Sequence, residues 1–231
     1  GEIVFPVNFD LLLELRKALH ATEQDMEQLL RLLSLEPFIS ARLIGLANLD
    51  SSDNWNGPVL DLKGATERLG PKEVRTIALA ITGDQLLRSK GMVEFDEFSK
   101  RLWDHSLYAA SAAYVISKRL THINPDDAMM AGLIHDLGAF YMLYRATQYD
   151  ELRIRPDTIK HLISKWHESI GHTLLISLGI PVAIADAIRD HDQPRRLPRL
   201  PTNMADVIYV SNLFACEKYE WKCQETETSV S

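Results

Sequence analysis

A histidine and an aspartate stand side by side inside an otherwise apolar run, AGLIHDLGAF at residues 131–140. A run of this kind belongs in a core, and a carboxylate carried into a core needs a partner, because burying an unpaired charge is expensive. A metal ion offers His135 and Asp136 the same partner. Four more side chains able to ligate a metal lie along the same half of the chain: His105, His172, His191 and Asp206. Imidazole nitrogen suits Zn, Fe and Ni while carboxylate oxygen suits harder ions, so the mixed set points to a transition metal. Each residue also has an ordinary reading. Asp136 could accept from an amide, His191 at a helix end would be favoured by the helix dipole, and Asp206 could cap a helix or join a salt bridge. Glu168 lies four residues before His172 on one helical face, as a carboxylate orienting the imidazole, a further ligand or a surface ion-pair partner. His20, His122, His161 and His167 fit no motif and are read as surface or cap residues.

The hydrophobic pattern around these residues is helical. Leu11, Leu12, Leu15 and Leu19 share a face, and Thr22 with Asp25 reads as a capping box opening a helix through Met26, Leu29, Leu30 and Leu33. Pro37 falls at the next helix start, DSSDNWNG (50–57) reads as a loop, and Gly70 reads as a C-cap before Pro71 opens another helix. A helix over 94–120 carries His105. Asn124 caps a helix expected to run through His135-Asp136 to about Ala146. A further helix spans about 157–177, is closed by Gly179 and is followed by one from Pro181 toward His191, and a last helix spans 202–220. Gly171, just before His172, either admits a close neighbour or is simply tolerated. No strand alternates convincingly, so the expected class is all-α.

At 231 residues the chain can bury a sizeable core. Its net charge of −7 argues against general nucleic-acid affinity, which needs a basic excess. Arg195, Arg196 and Arg199 form a local basic run that could hold a small phosphorylated ligand or simply be solvated. Cys216 and Cys223 lack zinc-ribbon spacing and read as reduced thiols of a cytoplasmic protein. No apolar run reaches membrane-spanning length and no secretory signal is evident, so no membrane is expected as a partner. The chain starts with Gly1 rather than Met, which fits a processed chain or a piece of a longer one.

The order of motifs resembles the HD superfamily of metal-dependent phosphohydrolases, and more closely its HDOD branch, a helical module of bacterial signalling proteins. The resemblance rests on LLSLEPFISARLIGLAN (32–48), ATERLG (65–70), LWDHS (102–106), AGLIHDLGAF (131–140), HESIGHTLLISLGIP (167–181), AIRDHD (187–192) and MADVI (204–208). It implies a multi-helix HD-domain-like bundle with an N-terminal helical lobe at 1–90, an HD-like metal-binding lobe at 91–220 and a polar tail at 221–231, forming one continuous module. It also implies that His105, His135, Asp136 and Asp206 are core metal ligands, that His172 and His191 complete a second site, and that Asp136 bridges. The metal would be one or two divalent ions of Fe, Mn, Zn or Ni.

The departures from the superfamily bear on chemistry. Ala139 stands where many active members carry a lysine, removing a cation that could neutralise a phosphoryl group. The Gly-Tyr-Pro element of the cyclic-di-nucleotide phosphodiesterase branch is absent, and Asp192 follows His191 where many relatives have a second histidine. The resemblance therefore implies a signal-transduction module with weak or no catalysis, acting with signalling proteins or a fused receiver-type domain. The alternative is a phosphohydrolase for a nucleotide or cyclic nucleotide, with Asp136 bridging the metals and orienting the attacking water.

Overall fold

Helical periodicity becomes helix almost throughout the computed structural model, which describes residues 9–20, 26–49, 57–88, 95–196 and 199–218. In chain order the helices are α1 (Phe9–His20), α2 (Met26–Leu33), α3 (Pro37–Leu49), α4 (Leu62–Leu69), α5 (Pro71–Arg88), α6 (Asp96–Leu120), α7 (Pro125–Ile134), α8 (Leu137–Thr147), α9 (Asp150–Arg153), α10 (Pro156–Ser177), α11 (Val182–Ile188) and α12 (Met204–Lys218). No strand occurs among the described residues, and the protein is all-α. No helix among them is long and apolar enough to cross a membrane. The expected Thr22–Asp25 box, Cys223, most of the 50–57 loop and the expected lobe boundaries near 90 and 220 lie outside the described residues.

Local signals set the helix ends. Asn124 accepts from the Asp126 N–H at 2.9 Å to start α7, and Asp61 accepts from Gly64 to start α4. Gly70 (φ 87°) ends α4, its N–H reaching the Thr66 carbonyl, and Gly179 (φ 84°) follows α10. Both lie where L side chains are strained. Glu36 caps α3 ahead of Pro37, its carboxyl accepting from the Ile39 N–H at 3.0 Å. Asn48 holds the chain after α3: its amide pairs with both the N–H and the carbonyl of Val59, each at 2.8 Å.

One helix is read differently by the structure. The segment expected to run unbroken through His135-Asp136 is two helices, and the doublet is the break. Asp136 sits at φ −97°, ψ 16°, outside helical geometry. Neighbours on an unbroken helix point about 100° apart, so the turn lets both side chains face one centre.

The buried apolar residues form one cluster reaching from Leu11 to Ile208. In the first half, α1 lies on α5 and α3 on α4 and α5; in the second, α6 lies along α7 and α12, and α8 along α10. A glycine seam connects the halves. A Cβ on Gly45 of α3 would stand 1.7 Å from the Leu178 carbonyl oxygen, and one on Gly179 would stand 2.9 Å from the Gly45 oxygen. Backbone meets backbone here, so a methyl has no flexible side chain to displace.

Two expectations follow. Gly45→Ala should lower stability by about 1–3 kcal/mol or more, the range for forced overpacking, read from urea unfolding midpoints. Burial pushes the Glu36 carboxyl up to about 7 from an ordinary 4.5, against the lowering effect of the Ile39 and Phe38 N–H groups. The unfolded chain loses that proton first, so stability from this group falls as pH rises from about 4.5 to 7 and stays reduced above. Glu36→Gln should flatten this part of the profile, gaining up to about 3 kcal/mol at pH 8 and little at pH 4.5 in paired denaturation curves.

Candidate metal centre

Five chain segments deliver polar side chains to one buried point: α6 brings His105, the α7–α8 break brings His135 and Asp136, α10 brings His167, the turn after α11 brings His191 and Asp192, and α12 brings Asn212. Small residues let these segments approach. A Cβ on Gly132 of α7 would lie 2.9 Å from the Ala110 Cα of α6. The tightest approach is α8 on α10, where a Cβ on Gly138 would lie 2.1 Å from the His167 carbonyl oxygen and 2.6 Å from the Gly171 nitrogen. Gly138 is two residues after Asp136 and Gly171 four after His167, so this contact sets the distance between those two side chains. Gly171 does admit a close neighbour.

Asp136 occupies the middle. Its Oδ2 is 3.4 Å from His105 Nε2 and 3.3 Å from His135 Nε2. Its Oδ1 is 3.2 Å from His191 Nε2 and 3.5 Å from His167 Nε2. Within each half the imidazoles approach closely: His105 and His135 Nε2 atoms are 3.2 Å apart, and those of His167 and His191 3.3 Å. Asp192 Oδ2 lies 3.1 Å from His167 Nε2. Asn212 Oδ1 lies 3.0 Å from His105 Nε2, while its amide nitrogen donates to the His191 carbonyl at 3.1 Å and to Asp192 Oδ1 at 2.7 Å. Glu168 accepts from the Asp192 N–H at 2.8 Å and from the Gln193 amide at 2.7 Å, fixing the turn that carries His191.

Three rings are oriented from behind. Nδ1 of His135, His167 and His191 lies 2.7, 2.9 and 2.8 Å from the carbonyl oxygens of Gly132, Ile163 and Ile188. A carbonyl only accepts, so each Nδ1 carries a hydrogen, and it is Nε2 that faces inward, available as a ligand once it carries no proton. This arrangement is the usual backing of metal-ligating histidines. For a four-coordinate ion with donors about 2.1 Å away, donors are separated by about 3.4 Å, close to the separations above. The residues therefore fit a metal: His105, His135 and Asp136 form one triad, and Asp136, His167 and His191 a second, sharing the carboxylate.

Where no cation is bound, protons on the imidazoles answer the Asp136 charge. Burial alone would raise the Asp136 carboxyl, but the charge and hydrogen bonds of His135 and His191 outweigh it and hold the carboxyl well below the ordinary range. Burial pushes His135 down, and Asp136 and the Gly132 carbonyl more than reverse this, so the imidazole is raised. The inner groups, His105, His135, Asp136, His167 and His191, are each exposed by 2% or less.

Of the six residues singled out from sequence, four meet here: His105, His135, Asp136 and His191. The structure does not bring the other two to the centre. His172 turns outward and pairs with Asp186 of α11 at 2.9 Å. Its neighbour His167 enters instead, because it lies in the buried stripe Ile159, Ile163, His167, Gly171, Leu174 of α10. Asp206 belongs to the start of α12. Its N–H donates to Asn203 Oδ1 at 2.9 Å and its carboxylate accepts from the Thr202 N–H at 3.0 Å, a reciprocal capping arrangement. Asn212, farther along the same helix, faces His105. Arg195 is committed to the Ala205 carbonyl, lies 3.4 Å from Asp206 and stacks 4.4 Å from the Tyr209 ring centroid. Glu168 lies near His191 rather than serving His172. Ala139 is fully buried.

The HDOD domain profile matches residues 5–194. Among solved structures, the MmoQ response regulator from Methylococcus capsulatus str. Bath superposes with a TM-score of 0.69 at 20% identity, covering 91% of this chain and 85% of that one. A protein proposed to be a metal-dependent phosphohydrolase, from Shewanella amazonensis SB2B, superposes with a TM-score of 0.50 at 20% identity, covering 94% and 78%. Among curated proteins none matches the chain.

The α8–α10 contact yields a test of what positions the centre. Gly138→Ala should lower the thermal midpoint by several degrees, corresponding to about 1–3 kcal/mol of overpacking. His172→Ala, remote from the centre, should leave metal content unchanged by elemental analysis.

Proposed function

The chain belongs to the HDOD family, and on that premise we propose that it is a bacterial signalling module whose buried cluster holds a divalent metal as a scaffolding or sensing element rather than for turnover. Closure of the centre carries this reading. Structural metal sites are enclosed by protein ligands, whereas catalytic ones keep a position open to substrate, and the inner donors here are buried to within 2%. Ala139 adds to it, since a fully buried methyl stands where a cation would offset phosphoryl charge. The partners of such a module are signalling proteins or an attached receiver-type domain.

One observation favours the hydrolase reading: the two triads share Asp136, as a two-ion site requires. A bound ion supplies Lewis acidity and makes hydroxide available near neutral pH. The chain's own part would be Asp136 holding both halves together and the backbone carbonyls fixing the three rings. The fold is common to a response regulator and a proposed phosphohydrolase, so it does not choose between them.

The deciding experiment pairs elemental analysis with hydrolysis assays. The expected result is stoichiometric Fe, Mn, Zn or Ni in the purified chain, lost in His135→Ala, with no metal-dependent hydrolysis of nucleotides, cyclic nucleotides or phosphodiesters. Turnover abolished by Asp136→Ala would instead establish the hydrolase. Absence of metal after supplementation would remove the metal from either reading.

A further inference from the structure

Away from the buried cluster, a cavity of about 220 Å³ opens between α2, the start of α4 and the start of α7. Its floor is apolar, made of Leu30 from α2, Leu62 from α4, and Met129 and Met130 from α7. One wall is a single helical face, since Leu30, Arg31 and Ser34 lie three, four and seven residues after Glu27. Pockets that enclose a small-molecule ligand run to about 300–1,000 Å³, so this one has the room of a large side chain rather than of a cofactor. Methionine makes such a floor adaptable, being unbranched and polarizable. Leu30 and Met129 are half-buried, so apolar surface already meets water there.

Charge at the opening selects what can enter. Asp61, the N-cap of α4, and Asp126, in the first turn of α7, both line it. A carboxylate at a helix start is ordinary, but here two helices bring theirs to the same place, and Asp127 follows Asp126. Burial, and then the charges of Asp61 and Asp126, push the Asp127 carboxyl up to about 6 from an ordinary 3.8. Like charge therefore gathers at this edge. Among the described residues no ion pair joins Asp61, Asp126 or Asp127 to a cation. Arg31 is answered by Glu27 at 3.5 Å, and Lys63, exposed at the rim, is a single cation against three carboxylates.

We propose that this groove docks a segment of a partner protein that presents a large apolar side chain beside lysine or arginine. The apolar group seats on Leu30, Leu62, Met129 and Met130, and the cation faces Asp61 and Asp126. Both parts of the segment are needed. An apolar side chain alone leaves the carboxylates unanswered at its edge, and a cation alone gains nothing from the floor. The chain's net charge of −7 favours encounter with such a segment from a distance, while the floor supplies the buried anchor on which docking energy concentrates. The inference rests on the signalling reading above for the existence of a partner, and gives that partner a place and a chemistry. The buried cluster has no part in it.

The test uses the whole chain and a short fluorescein-labelled peptide carrying leucine and lysine at helical spacing, the pattern of a segment laid into a groove. Binding is followed by fluorescence anisotropy at physiological ionic strength, and its place by methionine-methyl NMR. Saturable one-to-one binding that shifts the Met129 and Met130 methyls is expected. Replacing the peptide's leucines by serine, or its lysines by glutamate, should weaken binding about tenfold or more. Asp126→Lys should do the same. Glu151→Lys on α9, an equal change of net charge at an exposed site, should alter binding less than about twofold. Circular dichroism establishes that both variants are folded, and the peptide replacements stand even where a variant is not. Binding that is equal in the two variants, indifferent to leucine, or silent at both methyls would overturn the inference. Self-association of the free chain in sedimentation, lost in Asp126→Lys, would overturn it in favour of a second copy in the groove. Each of these failures leaves the signalling reading standing, because metal content and turnover decide that.

Discussion

Asp136 is a carboxylate with no access to water, placed where four imidazoles converge, and much of the second half of the molecule is arranged around that fact. Desolvating such a group fully costs several kcal/mol unless charge or hydrogen bonds answer it. The answer is drawn from five separate segments. Each has a local reason to arrive in the right orientation: a broken helix for the doublet, a carbonyl behind each of three rings, an amide on α12 and a carboxylate at the turn after α11.

Precision at that point depends on the absence of side chains elsewhere. Gly138 and Gly171 place α8 and α10 in backbone contact, and Gly132 does the same for α7 against α6. Opposite Gly45, the α10–α11 turn is held against the N-terminal half through Gly179. That turn leads through α11 to His191 and Asp192, so the first half of the chain helps fix donors that it does not contain.

The all-α class, the helix order and the caps at Asn124, Gly70 and Gly179 were legible in the sequence, because periodicity and turn chemistry are local. So was the doublet, since an apolar run around two polar residues is visible without a structure. Motif order points to His172 and leaves His167 outside any motif. The stripe Ile163, His167, Gly171, Leu174 carried the opposite signal, for five residues separate His167 from His172 and five residues on a helix reverse most of its face. Asp206 is singled out by its place in the motif MADVI, and nothing local in the sequence points to Asn212. The use of Asp206 at the start of α12 depends on Thr202 and Asn203, a local pattern that could have been read. What Asn212 does could not, because His105 and His191 reach it only through tertiary packing. The break at the doublet was equally hidden, since the hydrophobic pattern continues across it.

The spread of the donors along the chain bears on how the molecule is made. His105 and Asn212 touch across 107 residues, and closing so long a loop is slow compared with forming the local helix pairs. During synthesis, α6 through α8 are complete well before α12 emerges, and through that interval the His105 side of Asp136 lacks its amide. The His105–Asn212 contact is therefore among the longest-range in the cluster, and an ion that needs this contact would act as a latch on helices already paired rather than as their nucleus.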